Sequence, residues 1–98
     1  MKMRILGNSG LKVSELCFGT MTFGGDGYWG SIGKQTQNDA DTLVGIAIEN
    51  GINFFDTADI YGLGESERRL GHFLKSRREE AIISTKFGVR VDNNGGTF

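Results

Sequence analysis

The feature that most constrains this chain is a helix-spaced apolar stripe set between short apolar runs. Ala40, Leu43, Val44, Ala47 and Ile48 fall at i, i+3, i+4, i+7 and i+8, which is one face of a helix. The run Leu16-Cys17-Phe18 precedes that stripe, and Ile52-Asn53-Phe54-Phe55 follows it. A second stretch opens at Glu65-Ser66-Glu67 and carries Leu70, Phe73 and Leu74 on one face. It leads through Arg77-Arg78-Glu79-Glu80, a solvated exit, to a third run over 81–87. Strands separated by helices of this length are joined as βαβ units, which makes the strands parallel with right-handed crossovers. Upstream, residues 4–18 read as a hairpin with a strand leaving it, turning at Gly7-Asn8-Ser9-Gly10. The predicted order is hairpin, β, α, β, α, β. The first helix is placed at 38–50, capped by Thr36 or Asn38, with Asp39 and Asp41 suiting its first turn and Gly51 suiting the left-handed position after its end.

Composition narrows the partners. Eleven Lys and Arg against twelve Asp and Glu give a net charge of −1, with no basic footprint for nucleic acid or an anionic membrane. No run reaches the ~18 apolar residues of a membrane span, and the opening residues lack the apolar core of a secretory signal. The single Cys17 excludes an internal disulfide framework and fits a reducing, cytoplasmic setting. Within its apolar strand it reads as a small buried core residue. Sixteen of 98 residues are glycine, gathered at 19–33, 62–71 and 88–96, about twice the usual ~7%. Those stretches read as functional loops. Three parallel strands would leave two open edges. The chain is therefore expected to be an incomplete domain over 1–98, the N-terminal part of something larger. If 98 residues are the whole molecule, it is expected to self-associate through those edges.

The polar residues gather where the second and third apolar runs end. Asp56 shares a strand face with Phe54, and Lys86 shares one with Ser84 and Ile82. Both lie at C-terminal strand ends, where parallel α/β folds bind ligands. Neighbouring strands would bring the carboxylate and ammonium about one strand spacing, ~4.8 Å, apart. Tyr61 follows Asp56 by five residues on the loop leaving the same end. A phenol with an ordinary pKa of ~10 is a poor acid at neutral pH, and a neighbouring cation favours its phenolate. A carboxylate that holds the cation in place completes a proton-donating relay. Spacing alone leaves a second reading equally open: a structural Asp56–Lys86 ion pair beside a core tyrosine.

The run FDTADIYGLGESERRLG (55–71) resembles the signature of the aldo/keto reductase family. Two more segments agree in order: LGNSGLKVSELCFGTMTFG (6–24) is similar to that family's hairpin and first barrel strand, and IISTKFG (82–88) to its third strand. The similarity leaves out only 25–35 and the tail. It implies part of a (β/α)8 TIM barrel, with an N-terminal β-hairpin, three parallel strands and two helices. It implies an oxidoreductase that reduces aldehydes and ketones with NADPH, without metal. By matching, Asp56, Tyr61 and Lys86 take three of four catalytic positions, with Tyr61 as proton donor. Gly19, Thr20, Met21 and Asp56 lie near the nicotinamide end of the cofactor. The fourth catalytic residue, a histidine ending the fourth strand, has no match here, and the contacts that grip the 2′-phosphate would lie beyond residue 98. The isolated 98 residues are therefore expected to be inactive. Some proteins resembling the family bind NADPH as regulatory subunits of channels, and the same three residues would be present in those.

Other candidates are weaker. Gly62-Leu63-Gly64-Glu65-Ser66-Glu67 mimics a Rossmann dinucleotide loop, but Glu67 stands where the third glycine belongs, and Glu65 and Glu67 would repel a pyrophosphate. Gly24-Gly25-Asp26-Gly27 is followed by no Gly-Lys-Ser/Thr, so it is not a P-loop. Tyr28 and Trp29 either line a substrate pocket or pack their loop onto the barrel rim. His72 reads as a helix-face residue, Asp59 as a loop-stabilising carboxylate, and Arg68-Arg69 as polar helix surface. Phe54 and Phe55 are expected to serve as core on opposite sheet faces. No Cys/His cluster supports a metal site.

Overall fold

The structure, a computed structural model, describes residues 1–25 and 30–90. Tyr28, Trp29 and the tail from Val91 onward lie outside the described residues. The chain opens with a two-stranded antiparallel hairpin of β1 (Met3–Ile5) and β2 (Lys12–Ser14), in which Arg4 faces Val13. The turn is closed by Ser9, whose hydroxyl donates to the Leu6 carbonyl and accepts from the Leu11 amide. Next come β3 (Phe18–Gly19), α1 (Gln37–Glu49), β4 (Phe54–Asp56), α2 (Glu65–Leu74) and β5 (Ile82–Ser84). Strands β3, β4 and β5 form one parallel sheet in that order. The predicted order of elements is the observed one.

Local chemistry sets the helix ends. Thr36 caps α1 through a reciprocal box: its side chain accepts from the Asp39 amide, and the Asp39 carboxylate accepts from the Thr36 amide. Of the two candidate caps, Thr36 is therefore the one used, and the helix begins one residue earlier than the pattern placed it. Gly51 takes φ 93° just past the end, a conformation costly for any residue with a Cβ. After α2, Arg77 pairs with Glu80 at 2.6 Å across a short 3₁₀ turn over Arg78–Glu80.

Both helices pack on one face of the sheet. Ala40, Val44 and Ala47 of α1 meet Leu70 and Leu74 of α2 over Phe55, with Phe23 and Ala81 completing the buried cluster. Phe18 lies against both Phe23 and Phe55, with ring centroids 5.9 and 5.8 Å apart and tilted. Alternation puts Phe18, Phe55 and Ile83 on this face. It puts Gly19, Asp56 and Ser84 on the other, together with Cys17 and Phe54.

That second face accounts for two departures from expectation. Cys17 is exposed, not buried core, because strand alternation turns it away from the helices. Partial desolvation of its thiol, reinforced by the Asp56 charge and opposed by Lys86, holds its pKa above the ordinary thiol value. Phe54 is only half-buried, whereas Phe55 is fully enclosed. Phe54 and Cys17 instead border a cavity of about 260 Å³ shared with Val13 of the hairpin.

Asn53, just ahead of β4, fastens the hairpin to the sheet. Its side-chain oxygen accepts from the Ser14 amide at 2.7 Å, its NH2 donates to the Lys12 carbonyl, and its own amide donates to Ser14 Oγ. No helix among the described residues is long and apolar enough to cross a membrane.

Candidate active site

The three residues singled out by their strand-end positions come together. Lys86 lies two residues past Ser84, so it shares that residue's face, and Ser84 is in register with Asp56 on the adjacent strand. The Lys86 ammonium donates to Asp56 Oδ2 at 2.9 Å and to the Thr57 carbonyl at 2.8 Å. A third, longer bond runs to the Tyr61 hydroxyl at 3.4 Å. An ammonium has three donors, so this side chain is held as a tripod. Its nitrogen also sits over the Tyr61 ring, 5.1 Å from the centroid. The hydrogen bond to Asp56 is the main reason the Lys86 pKa lies above the ordinary lysine value. Tyr61 adds to that, and slight desolvation opposes it. Lys86 is therefore a cation throughout the neutral range. The cluster is open to solvent, with about half of the Lys86 side chain and a third of Asp56 exposed.

Tyr61 is delivered by an unusual backbone path. It opens a 3₁₀ turn over Tyr61–Gly64 in which Gly62 (φ 59°) and Leu63 (φ 55°) are both left-handed. Gly62 has a second constraint: a Cβ there would stand 2.9 Å from the Gly24 carbonyl oxygen, on the loop after β3. The stretch that mimicked a Rossmann loop is this turn. Its glutamates are engaged within the chain, Glu65 with Arg68 at 2.6 Å and Glu67 with Thr85 at 2.7 Å.

The residues matched to a cofactor divide by face. Gly19 pairs with Asp56 and meets no atom within 4 Å of where a Cβ would be, so the sheet is open beside the carboxylate. Met21 is exposed at 44%. Thr20 is fully buried, and its hydroxyl turns away from the cluster toward Ser66 Oγ at 2.7 Å and the Asp56 carbonyl at 3.1 Å. Asp59 is exposed on the connecting loop, its amide donating to the Lys86 carbonyl at 3.3 Å. His72 is exposed on α2, and Arg69 is partly buried with its guanidinium donating to the Gln35 carbonyl.

The sequence reading missed the groups behind the cluster. Ser66 is fully buried and bonds Thr20 and Thr57, the residues that directly follow β3 and β4. The available signal was a threonine after each of the three strands, at 20, 57 and 85, and a serine at the head of the next helix.

Comparisons with known proteins agree with this architecture. The sequence profile of the aldo/keto reductase family matches residues 15–97. Pyridoxal 4-dehydrogenase from Microbacterium luteolum is 39% identical over 90 residues, 92% of this chain and 25% of that protein. Norsolorinic acid reductase from Aspergillus flavus is 41% identical over 87 residues, 86% of this chain and 22% of that protein. Among solved structures, the holo form of an aldo-keto reductase from Bacillus halodurans superposes with a TM-score of 0.81 at 39% identity, over 100% of this chain and 30% of that one. A putative aldo-keto reductase from Pseudomonas aeruginosa gives 0.79 at 39% identity, over 98% of this chain and 34% of that one. The chain thus spans about a quarter of the length of these curated relatives. Its hairpin, three parallel strands and two helices are the corresponding part of a (β/α)8 barrel, and the chain belongs to the aldo/keto reductase family.

Proposed function

We propose that this chain carries the proton-donating half of an NADPH-dependent carbonyl reductase, with a small aldehyde or ketone as substrate. The observation that supports it most is the Lys86 tripod, which binds Asp56, the Thr57 carbonyl and Tyr61 at once. Tyr61 donates its phenolic proton to the carbonyl oxygen as that oxygen gains negative charge. Lys86 stabilises the charge left on the Tyr61 oxygen, and Asp56 keeps Lys86 in position. General-acid help of this kind contributes ~10²–10⁴ in rate.

The residues present fit a nicotinamide group. The open sheet face at Gly19, beside Asp56 and the exposed Met21, leaves room for a flat ring next to the cluster. Gly19, Met21 and Asp56 would border it, whereas Thr20, matched to the same group, is fully buried behind them and holds the Asp56 carbonyl instead. When bound, NADPH supplies the hydride that reaches the carbonyl carbon.

The 98 residues alone are proposed to be inactive, because they span about a quarter of the curated relatives' length. The complete barrel carrying this segment supplies the remaining cofactor contacts. Residues 1–98 by themselves would associate through the open edges of β3 and β5. A cytoplasmic setting suits the exposed Cys17 thiol.

The test is NADPH consumption by the complete barrel against a panel of aldehydes and ketones, with the alcohol product identified. Turnover supports the reductase reading. Tight NADPH binding with no turnover on any carbonyl would favour a regulatory subunit instead.

A further inference from the structure

Strands β3, β4 and β5 each run into a threonine. Gly19, Asp56 and Ser84 are in register, so Thr20, Thr57 and Thr85 form a row one residue further along. Strand alternation turns this row away from the catalytic cluster, toward the helices. The first turn of α2 lies against all three. Ser66 Oγ donates to the Thr20 carbonyl at 2.7 Å and shares hydrogen bonds with Thr20 Oγ1 at 2.7 Å and Thr57 Oγ1 at 3.0 Å. Glu67, the next residue, accepts from Thr85 Oγ1 at 2.7 Å. Thr20 also holds the Asp56 carbonyl through its amide at 3.0 Å, with its hydroxyl oxygen 3.1 Å from the same atom.

We infer that Ser66 and Glu67 are positioning residues: one helix head ties the ends of three barrel strands together and thereby sets the mutual placement of Asp56, Tyr61 and Lys86. The chain path explains why this spot has such reach. Thr57 directly follows Asp56, and Thr85 directly precedes Lys86. The segment carrying Tyr61 leaves the sheet at Thr57 and joins α2 at Glu65, so the Thr57–Ser66 bond closes that loop at its base. Ser66 and Thr20 are fully enclosed and Thr57 nearly so, so a lost hydroxyl leaves a buried partner unsatisfied and the strand end free to shift. Networks of this kind specify a single arrangement because each member is satisfied only in that arrangement. The Glu67–Thr85 bond is exposed and contributes little to stability, so its effect on Lys86 can be separated from its effect on folding.

The tie itself does not depend on the reductase reading; only its effect on turnover does. The test uses the complete barrel carrying Thr85→Val, Glu67→Gln or Ser66→Ala, with thermal unfolding as a control. The first readout is the pH titration of the Lys86 side chain by NMR. The groups facing that ammonium are Asp56 and Tyr61, with Cys17 on the same sheet face. Thr85→Val keeps every charge, and we expect it to lower the Lys86 midpoint by about 0.5 pH as the Asp56 contact loosens. Glu67→Gln keeps an acceptor for Thr85 and should leave the midpoint in place. The second readout is kinetic: Thr85→Val and Ser66→Ala should lower kcat about tenfold with KM for the carbonyl little changed, and Ser66→Thr should restore part of it. An unmoved Lys86 midpoint in Thr85→Val would overturn the inference. So would a shift in Glu67→Gln alone, which would mark a bare charge effect. If the barrel reduces no carbonyl, the NMR arm still decides the inference, and only the functional reading fails.

Discussion

Lys86 and Asp56 stand 30 residues apart in sequence and 2.9 Å apart in space, because adjacent parallel strands end side by side. That pair is about half-exposed, which fixes how its removal should read out. Asp56→Asn should cost at most about 1 kcal/mol of stability, the ordinary range for a solvated ion pair. Its larger effect should be on chemistry, a loss of about 10–100-fold in carbonyl reduction by the complete barrel as Lys86 loses its anchor. Urea unfolding and steady-state kinetics on the same variant separate the two.

The same pair sets a pH dependence. Lys86 has a raised pKa in the folded chain, so its pairing stabilises the fold fully below the ordinary lysine pKa. That contribution is lost as pH rises through the folded value. Wild type should therefore lose stability relative to Lys86→Met as pH climbs through the alkaline range, and the two should differ by a constant amount near neutrality. Denaturant midpoints measured across that range check the sign.

Gly62→Ala should disturb Tyr61 without touching its phenol. The new Cβ would meet the Gly24 carbonyl at 2.9 Å and would sit on a residue with φ 59°. A cost of about 1–2 kcal/mol in stability is expected. Activity should fall further than that destabilisation explains, because the loop carrying Tyr61, the proposed proton donor, must move. Comparing kcat at a temperature well below the unfolding midpoint isolates the second effect.

The core makes a separate prediction. Leu70 is 1% exposed, enclosed among Phe55, Val44 and Leu74. Leu70→Ala should cost about 2–5 kcal/mol through lost burial and a residual cavity. Replacing the exposed Ile46 of α1 by Ala should change stability by less than about 0.5 kcal/mol. Denaturant unfolding of both variants tests whether the helix faces are assigned correctly.

How much of this was legible in the sequence depended on range. The α1 stripe from Ala40 to Ile48 was readable because helix periodicity is local, and Gly51 and Thr36 marked its ends. The strand runs and their parallel arrangement followed from the helices between them. Asp56, Tyr61 and Lys86 were singled out because each sits at or just past a strand end, and their meeting at the Lys86 ammonium followed from adjacent strands ending side by side. Cys17 was misplaced because an apolar triplet does not say which face another layer covers. Ser66 was missed for a related reason: a serine is buried only when partners arrive from far along the chain, here Thr20, 46 residues away. Asn53 was likewise invisible as a fastener until the hairpin folded over it.

The most direct test of the central claim is the rate of NADPH-dependent carbonyl reduction by the complete barrel with Tyr61→Phe, set beside its NADPH affinity. Phenylalanine keeps the ring under Lys86 and removes only the hydroxyl. The account predicts a rate about 10²–10⁴ lower, with NADPH binding essentially unchanged. A variant that reduces carbonyls at the wild-type rate would contradict it and return Asp56, Tyr61 and Lys86 to a structural ion pair beside a tyrosine.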